Sequence, residues 1–288
     1  MRIIESIAEM QQAAEGWRCD GKRIGLVPTM GYLHEGHLEL MRSVRPYCDI
    51  LVISIFVNPA QFGPGEDFER YPRNPERDLR MASTTGVDVA FTPQVAEIYP
   101  EGYQTYVTVT EVAAPLCGRS RPTFFRGVAT VVTKLFHMVK PHVAVFGEKD
   151  FQQLVTIRRM VQDLNMEIEI SGHPTVREAD GLAMSSRNAY LTPVQRQKAV
   201  RLNRSLREAQ ALVQGGEKAG EVILKRVREV LDEDGDVRID YAELCNPATL
   251  QQATRLEGPT LLALAVHVGV ARLIDNAVLS PPAGTSSS

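Results

Sequence analysis

Long hydrophobic runs are missing from this chain of 288 residues. No stretch reaches the roughly 18 apolar residues that a membrane span needs, so no membrane partner is expected. A surplus of positive charge is missing as well: 32 Lys+Arg stand against 35 Asp+Glu, a formal net charge of −3. Gripping a phosphate backbone relies on clustered cations and counterion release, so no nucleic-acid partner is expected either. The N-terminal MRIIESIAEMQQAAEGW lacks an apolar signal-peptide core and carries Glu5 and Glu9, which argues against export. Cysteine is scarce, and Cys19, Cys48, Cys117 and Cys245 never form a C-x-x-C pair. That spacing fits neither a zinc site nor a disulfide framework. All four read as structural thiols, Cys48 and Cys245 as core residues beside apolar segments, in a reducing cytoplasmic setting. No internal repeat is visible.

What remains is an ordinary globular mixture, 44% hydrophobic and 23% charged, with the length for two domains or one large one. Residues 23–28 (RIGLVP), 49–57 (DILVISIFV), 87–91, 142–146 and 167–170 read as strands. Between them residues 36–44, 74–86, 127–139 and 150–164 read as helices, the second with an Asn cap, Pro at the first position and a terminal Gly. Such alternation implies an α/β fold, a Rossmann-like doubly wound parallel sheet with ligands beyond the strands' carboxyl ends. After about residue 176 the pattern changes to helices over 192–213 and 219–231, then strands over 237–244 and 260–270, the last either one strand or two bent near Gly269. The expected division is residues 1–175 for the Rossmann-like domain and residues 176–288 for a smaller lid-like α+β domain. Its Pro/Gly/Ser tail, SPPAGTSSS, reads as disordered.

The strongest local signal is Pro28-Thr29-Met30-Gly31-Tyr32-Leu33-His34-Glu35-Gly36-His37, between the first strand and the following helix. A helix N-terminus offers unpaired N–H groups and the positive end of the helix dipole, both suited to phosphate. Two imidazoles three residues apart add donors there, and Gly31 and Gly36 permit close backbone approach. Isolated histidines would more often be surface or capping residues. A metal site is the other functional reading, but no Asp, Glu or Cys lies at ligand spacing, so phosphate contact is preferred. Gly147-Glu148-Lys149-Asp150 likewise follows a strand and opens a helix, offering an ammonium and a carboxylate where phosphate or ribose belongs. A solvated turn with an N-cap is its ordinary alternative.

The H-x-G-H loop resembles the signature of the nucleotidylyltransferase superfamily. Its continuation is more specific: Phe56-Val57-Asn58-Pro59-Ala60-Gln61-Phe62, Phe125-Arg126-Gly127-Val128-Ala129-Thr130, Phe146-Gly147-Glu148-Lys149-Asp150-Phe151-Gln152-Gln153 and Arg177 to Asn188. Together these resemble the pantoate–β-alanine ligase (pantothenate synthetase) family in the expected order over roughly residues 20–195. The resemblance implies ATP-dependent condensation of D-pantoate with β-alanine, giving pantothenate, AMP and pyrophosphate through a pantoyl adenylate. It implies Mg²⁺ with ATP as co-substrate, and a homodimer formed through the first domain. Nucleotide and pantoate would then both belong to residues 1–175, with residues 176–288 closing over them.

The same resemblance assigns residues. His37, His34 and Lys149 are the catalytic positions. ATP binding falls to Met30, Gly31, Tyr32, Leu33, His34, Glu35, Gly36 and His37, to Gly147, Glu148, Lys149 and Asp150, and to Val176, Met184, Ser185, Ser186 and Arg187. Residues 184–187 are similar to the mobile KMSKS-type loop, with a Ser-rich hinge as the plainer alternative. Gln61 and Gln153 are the pantoate glutamines. Met30, Phe62, Val131 and Val132 would form the apolar wall, and Asn58 and Tyr71 the floor. Acceptance of the β-alanine proton stays open between the phosphate leaving group and a histidine. Three positions depart from the family pattern: Phe124 stands where histidine is found, Cys117 in place of a Leu-Glu-Gly segment, and Arg77 where acids precede Asp78. In the family the acids at that last position belong to the metal neighbourhood, so with Arg77 in place the resemblance does not assign Asp78 or any other direct protein ligand to Mg²⁺, which would be held chiefly by phosphates and water. Two rivals are a nucleotidylyltransferase that leaves the nucleotide on its product and a non-catalytic nucleotide- or RNA-binding module.

Overall fold

Ile24–Thr29 (β2) and Ile50–Ile55 (β3) are runs of branched and apolar residues buried over most of their length. Strands without a polar face must be covered on both sides, which an inner parallel sheet achieves. The computed structural model describes residues 1–235 and 237–282. It places these two strands inside a six-stranded sheet with β1 (Arg2–Ile4), β4 (Val89–Phe91), β5 (Val143–Gly147) and β6 (Glu169–His173). The order is β1-β4-β3-β2-β5-β6, and every pairing is parallel. From β2 the chain first moves to β3 and β4 on one side, then returns to place β5 and β6 on the other. Beside β2 the winding reverses, so a crevice opens beyond the carboxyl ends of β2 and β5.

Helices cover both faces. Ile7–Cys19 (α1), Phe124–Val139 (α6) and Phe151–Asp163 (α7) pack Met10, Phe125, Val128, Phe136, Leu154 and Ile157 against Leu26, Val52 and Phe91. On the opposite face, Glu35–Val44 (α2) buries Leu38, Met41 and Val44, and Pro75–Ser83 (α3) buries Ala82, against Val27, Leu51 and Ile53. The Asn74 side chain caps α3 by accepting the Arg77 N–H at 3.1 Å, and Pro75 fits the first turn, where no N–H is needed. Two short helices, Val95–Ile98 (α4) and Cys117–Ser120 (α5), interrupt the long irregular stretch before α6.

The remainder of the chain forms a second layer system. Pro193–Ala199 (α8), Arg201–Gln214 (α9) and Gly220–Leu231 (α10) cover an antiparallel sheet of Arg238–Cys245 (β7), Thr260–Val268 (β8) and Ala271–Leu279 (β9). Its core includes Leu202, Leu206, Ile223, Val227, Leu264 and Leu273. A smaller apolar cluster of Leu116, Val155, Cys245, Leu250 and Leu261 joins it to the parallel-sheet portion.

The expected fold class holds, with local differences. The segment over 260–270 becomes two strands: Gly269 turns at φ +58, and the second strand runs on to Leu279, further than the pattern indicated. The helix expected over 192–213 is two helices meeting at Val200. β1 and α1 escaped the sequence reading, β1 because three residues carry too little periodicity. Cys117 and Cys245 are buried and Cys48 is partly so, whereas Cys19 is exposed at the end of α1, where no core position exists for it. From residue 283 onward the expected disordered tail lies outside the described residues.

Candidate active site

The loop leaving β2 must turn sharply to enter α2. It does so through two consecutive residues in the left-handed region, Gly31 at φ +80 and Tyr32 at φ +48. Tyr32 carries a side chain, so this conformation is unfavourable without support. Support comes from Asp78 on α3, a carboxylate only 1% exposed, which accepts the N–H of Tyr32 at 2.7 Å and that of Leu33 at 2.8 Å. Arg77 next to it donates to the Leu33 carbonyl at 2.9 Å and lies over the Tyr32 ring. The departure at residue 77 thus leaves a guanidinium clamping the loop from outside, and Asp78 serves backbone rather than metal.

This loop sets the two histidines together. Their rings lie 4.0 Å apart, with His34 at the cap of α2 and His37 one turn inside. A Cβ on Gly36 would come within 2.9 Å of the His34 ring, so the absent side chain is what allows the ring to fold there. His37 Nδ1 accepts the His34 backbone N–H at 3.3 Å. A backbone N–H can only donate, so Nδ1 carries a lone pair and neutral His37 bears its proton on Nε2. Burial, reinforced by Lys149, pushes His34 down to about 4. Burial, with His34 and Lys149 adding to it, holds His37 well below the ordinary imidazole range. Both rings are therefore neutral at pH 7, and each can present an N–H without bringing a charge.

A second loop leaves β5 as a 3-10 turn, Glu148–Asp150, and leads into α7. Lys149 is mostly enclosed, 3.8 Å from the Asp150 carboxylate. A third loop closes from the antiparallel-sheet portion: Ser186 Oγ donates to the Tyr32 carbonyl at 3.3 Å, and Arg187 meets Asp67 at 3.3 Å. These three loops surround a cavity of about 750 Å³.

Among the expected nucleotide residues, Met30, His34, Gly36, His37, Gly147, Lys149, Asp150, Val176, Met184, Ser185, Ser186 and Arg187 line this cavity. Gly31, Tyr32, Leu33, Glu35 and Glu148 do not line it. Leu33 is buried in the core, Glu35 pairs with Arg42 on the surface, and Tyr32 gives its backbone to Asp78 and Ser186 and its ring to Arg77. Gln61 and Gln153 both face the cavity, and among the described residues neither side-chain amide has a hydrogen-bond partner. Gln152, one residue earlier, is different: its amide holds the Cys117 N–H and the Val112 and Pro115 carbonyls. Met30, Phe62, Tyr71, Val131 and Val132 supply apolar lining. Asn58 also lines the cavity but is fully engaged with Tyr99, Ala60 and the Gly127 carbonyl, so it braces the turn bearing Gln61. At Gly127 a Cβ would lie 2.0 Å from the Ala60 carbonyl oxygen, so only glycine lets α6 approach that turn.

The sequence reading missed Arg121, whose guanidinium grips both oxygens of Glu66, donates to the Gln61 carbonyl and stacks 4.0 Å above Phe124. Phe124 therefore replaces the family's histidine with a ring that seats this cation. Its partners are 55 and 60 residues away, and no local pattern announces them. Asp67 and Asn276 were missed for the same reason. Cys117, the remaining departure, starts α5 and donates its backbone N–H to Gln152.

Comparison with known proteins identifies the family and the fold. The family model described as pantoate-beta-alanine ligase matches residues 2–278. The curated pantothenate synthetase of Syntrophobacter fumaroxidans is 69% identical, covering 98% of this chain and 100% of that protein. The crystal structure of pantothenate synthetase from Thermus thermophilus superposes with a TM-score of 0.92 at 45% identity, covering 98% of this chain and 100% of that one. The pantoate-beta-alanine ligase of Francisella tularensis, solved with beta-gamma ATP and beta-alanine, gives a TM-score of 0.79 at 31% identity over 96% of this chain and 97% of that one.

Proposed function

This chain belongs to the pantoate–β-alanine ligase family, and from that membership we propose how its cavity condenses pantoate with β-alanine. The enzyme serves pantothenate biosynthesis and uses ATP. In our reading the pantoate carboxylate attacks the α-phosphorus of ATP, pyrophosphate leaves, and the β-alanine amine then displaces AMP from the pantoyl adenylate. A carboxylic acid is already ionised at neutral pH, so the first step needs no general base. Its barrier is lowered by alignment and by donors aimed where charge develops.

The single observation that carries this reading is the pairing of His34 and His37 at the start of α2 in one cavity with Lys149. His37 offers Nε2–H, fixed in that tautomer by the His34 backbone, and Lys149 adds a positive charge. Ser185, Ser186 and Arg187 would complete the phosphate contacts as the third loop closes and shields the adenylate from water. Gln61 and Gln153 would bind the pantoate hydroxyls and carboxylate, since their amides have no other partner among the described residues. Asp150 would take the ribose hydroxyls.

For Mg²⁺ the chain itself offers a poor set of ligands. Asp78 is committed to two N–H groups, and among the described residues no three His, Cys, Asp or Glu side chains gather around one point. The cavity presents N–H, ammonium, guanidinium and hydroxyl donors, which suit phosphate oxygens. Mg²⁺ accompanying ATP would be held by those oxygens and water, where it offsets phosphate charge.

The domain boundary falls in this reading near residues 175/176, between β6 and the Arg177–Ala183 bridge, with residues 176–288 acting as the lid. A homodimer through the first domain would cover exposed apolar side chains there, such as Tyr106 and Val95. Four free thiols fit a reducing cytoplasm, and among the described residues no helix is long and apolar enough to cross a membrane.

The test is purified protein with ATP, Mg²⁺ and D-pantoate, with and without β-alanine. Pantothenate and AMP should form only in the complete mixture. A stable nucleotidylated product would instead assign a nucleotidylyltransferase.

A further inference from the structure

Lys149 belongs to the parallel-sheet portion, yet its backbone is held from the other one. Asn276 on β9 donates through Nδ2 to the Glu148 carbonyl at 2.9 Å and to the Lys149 carbonyl at 2.9 Å. The two hydrogens of one amide thus clamp two successive peptide units of the turn that aims the Lys149 side chain. Asn276 itself lines the cavity wall.

Its neighbour does similar work on another loop. Asp275, 3% exposed, takes the Arg177 guanidinium with both oxygens at 2.6 and 3.0 Å. Arg177 also donates to the Gly181 carbonyl, in the segment that leads to Ser185 and Arg187. Two consecutive residues of one strand therefore anchor two of the loops that line the cavity.

We propose that Asn276 is a positioning residue for Lys149, so that seating the antiparallel sheet against the parallel one is what aims the lysine ammonium. The inference rests on the assignment of Lys149 to the phosphates. Asn276 touches no reacting atom and acts through the backbone of residues 148 and 149. A misplacement on the order of 1 Å can lower turnover about a hundredfold, which is the scale on which such a clamp matters.

The distinguishing variant is Asn276→Asp, which keeps the size but replaces two donated hydrogens by a carboxylate facing two carbonyl oxygens. Pyrophosphate release from ATP and D-pantoate measures the first step. We expect Asn276→Ala to lower kcat about tenfold and Asn276→Asp about a hundredfold or more, with the KM for pantoate changed less than about threefold. Asn276→Ser, which retains one donor, should fall between wild type and Asn276→Ala, and it serves if the Asp variant does not fold. In a Lys149→Ala background, Asn276→Ala should add less than about threefold, because the group it positions is gone. Unchanged kcat in folded Asn276 variants, or losses that multiply fully with Lys149→Ala, would overturn the proposal while leaving the ligase reading intact. Near-normal adenylate formation by Lys149→Ala alone would overturn both the lysine assignment and this inference, with the ligase activity of the wild type unaffected.

Discussion

The Asp78 carboxylate accepts the N–H of Tyr32 at 2.7 Å and thereby holds a residue with a side chain in the left-handed backbone region. That one contact fixes where the β2 loop enters α2 and hence where both cavity histidines stand. It also orients the Tyr32 carbonyl, the acceptor for Ser186 of the closing loop.

Replacement of Asp78 by Asn should be damaging because an amide offers one acceptor oxygen where two N–H groups require acceptors. We expect a stability loss of about 1–3 kcal/mol from the buried donor left unpaired. First-step turnover should drop at least about tenfold, because His34 and His37 ride on the loop. Chemical denaturation and pyrophosphate release measure the two effects. An Asp78→Asn protein with wild-type turnover would detach this brace from catalysis.

Removal of the His37 or Lys149 side chain should separate activity from stability. We expect His37→Ala and Lys149→Ala each to reduce turnover by about 10²–10³-fold, since each deletes a donor that strengthens as phosphate charge develops. Melting temperature should change little for Lys149→Ala, whereas His37→Ala also removes the acceptor of the His34 N–H, a loss of about 1 kcal/mol that is small beside the loss of turnover. Single-turnover adenylate formation is the direct readout.

The imidazoles also fix a pH dependence. Their folded values lie below the ordinary 6.5, so between that value and about 4 the unfolded chain binds protons that folded His34 does not. The stabilisation is fully present above about 6.5 and is lost as pH falls toward about 4. For His34 that loss is roughly 3 kcal/mol at most. Denaturant midpoints measured from pH 7 to 4 should fall, and His34→Asn should flatten part of the decline. A slope unchanged in that variant would show that His34 is not the group responsible.

Two adjacent glutamines should give opposite phenotypes. Gln152→Ala removes an amide with three protein partners and should destabilise the fold by about 2 kcal/mol or more. Gln153→Ala removes an amide with none among the described residues, so stability should hold while the KM for pantoate rises about tenfold. Exchange of the two outcomes would reverse which glutamine binds substrate.

Local elements, and the chemistry they carry, are written in the order of the residues. Continuous apolar runs such as residues 50–55 can be stable only when covered on both faces, and the Asn74-Pro75 start of α3 is spelled out in adjacent residues. The loop from Met30 to His37 was legible for the same reason: its glycines, histidines and helix start lie within eight residues of each other. What holds those groups in place emerges only when the chain is folded. Asp78 lies 46 residues from Tyr32, and Asn276 lies 127 residues from Lys149. Nothing in the spacing of an ordinary aspartate or asparagine indicates which distant backbone it will meet. Periodicity reports the face a residue turns toward the core, whereas a hydrogen bond across the fold depends on the winding of the whole sheet.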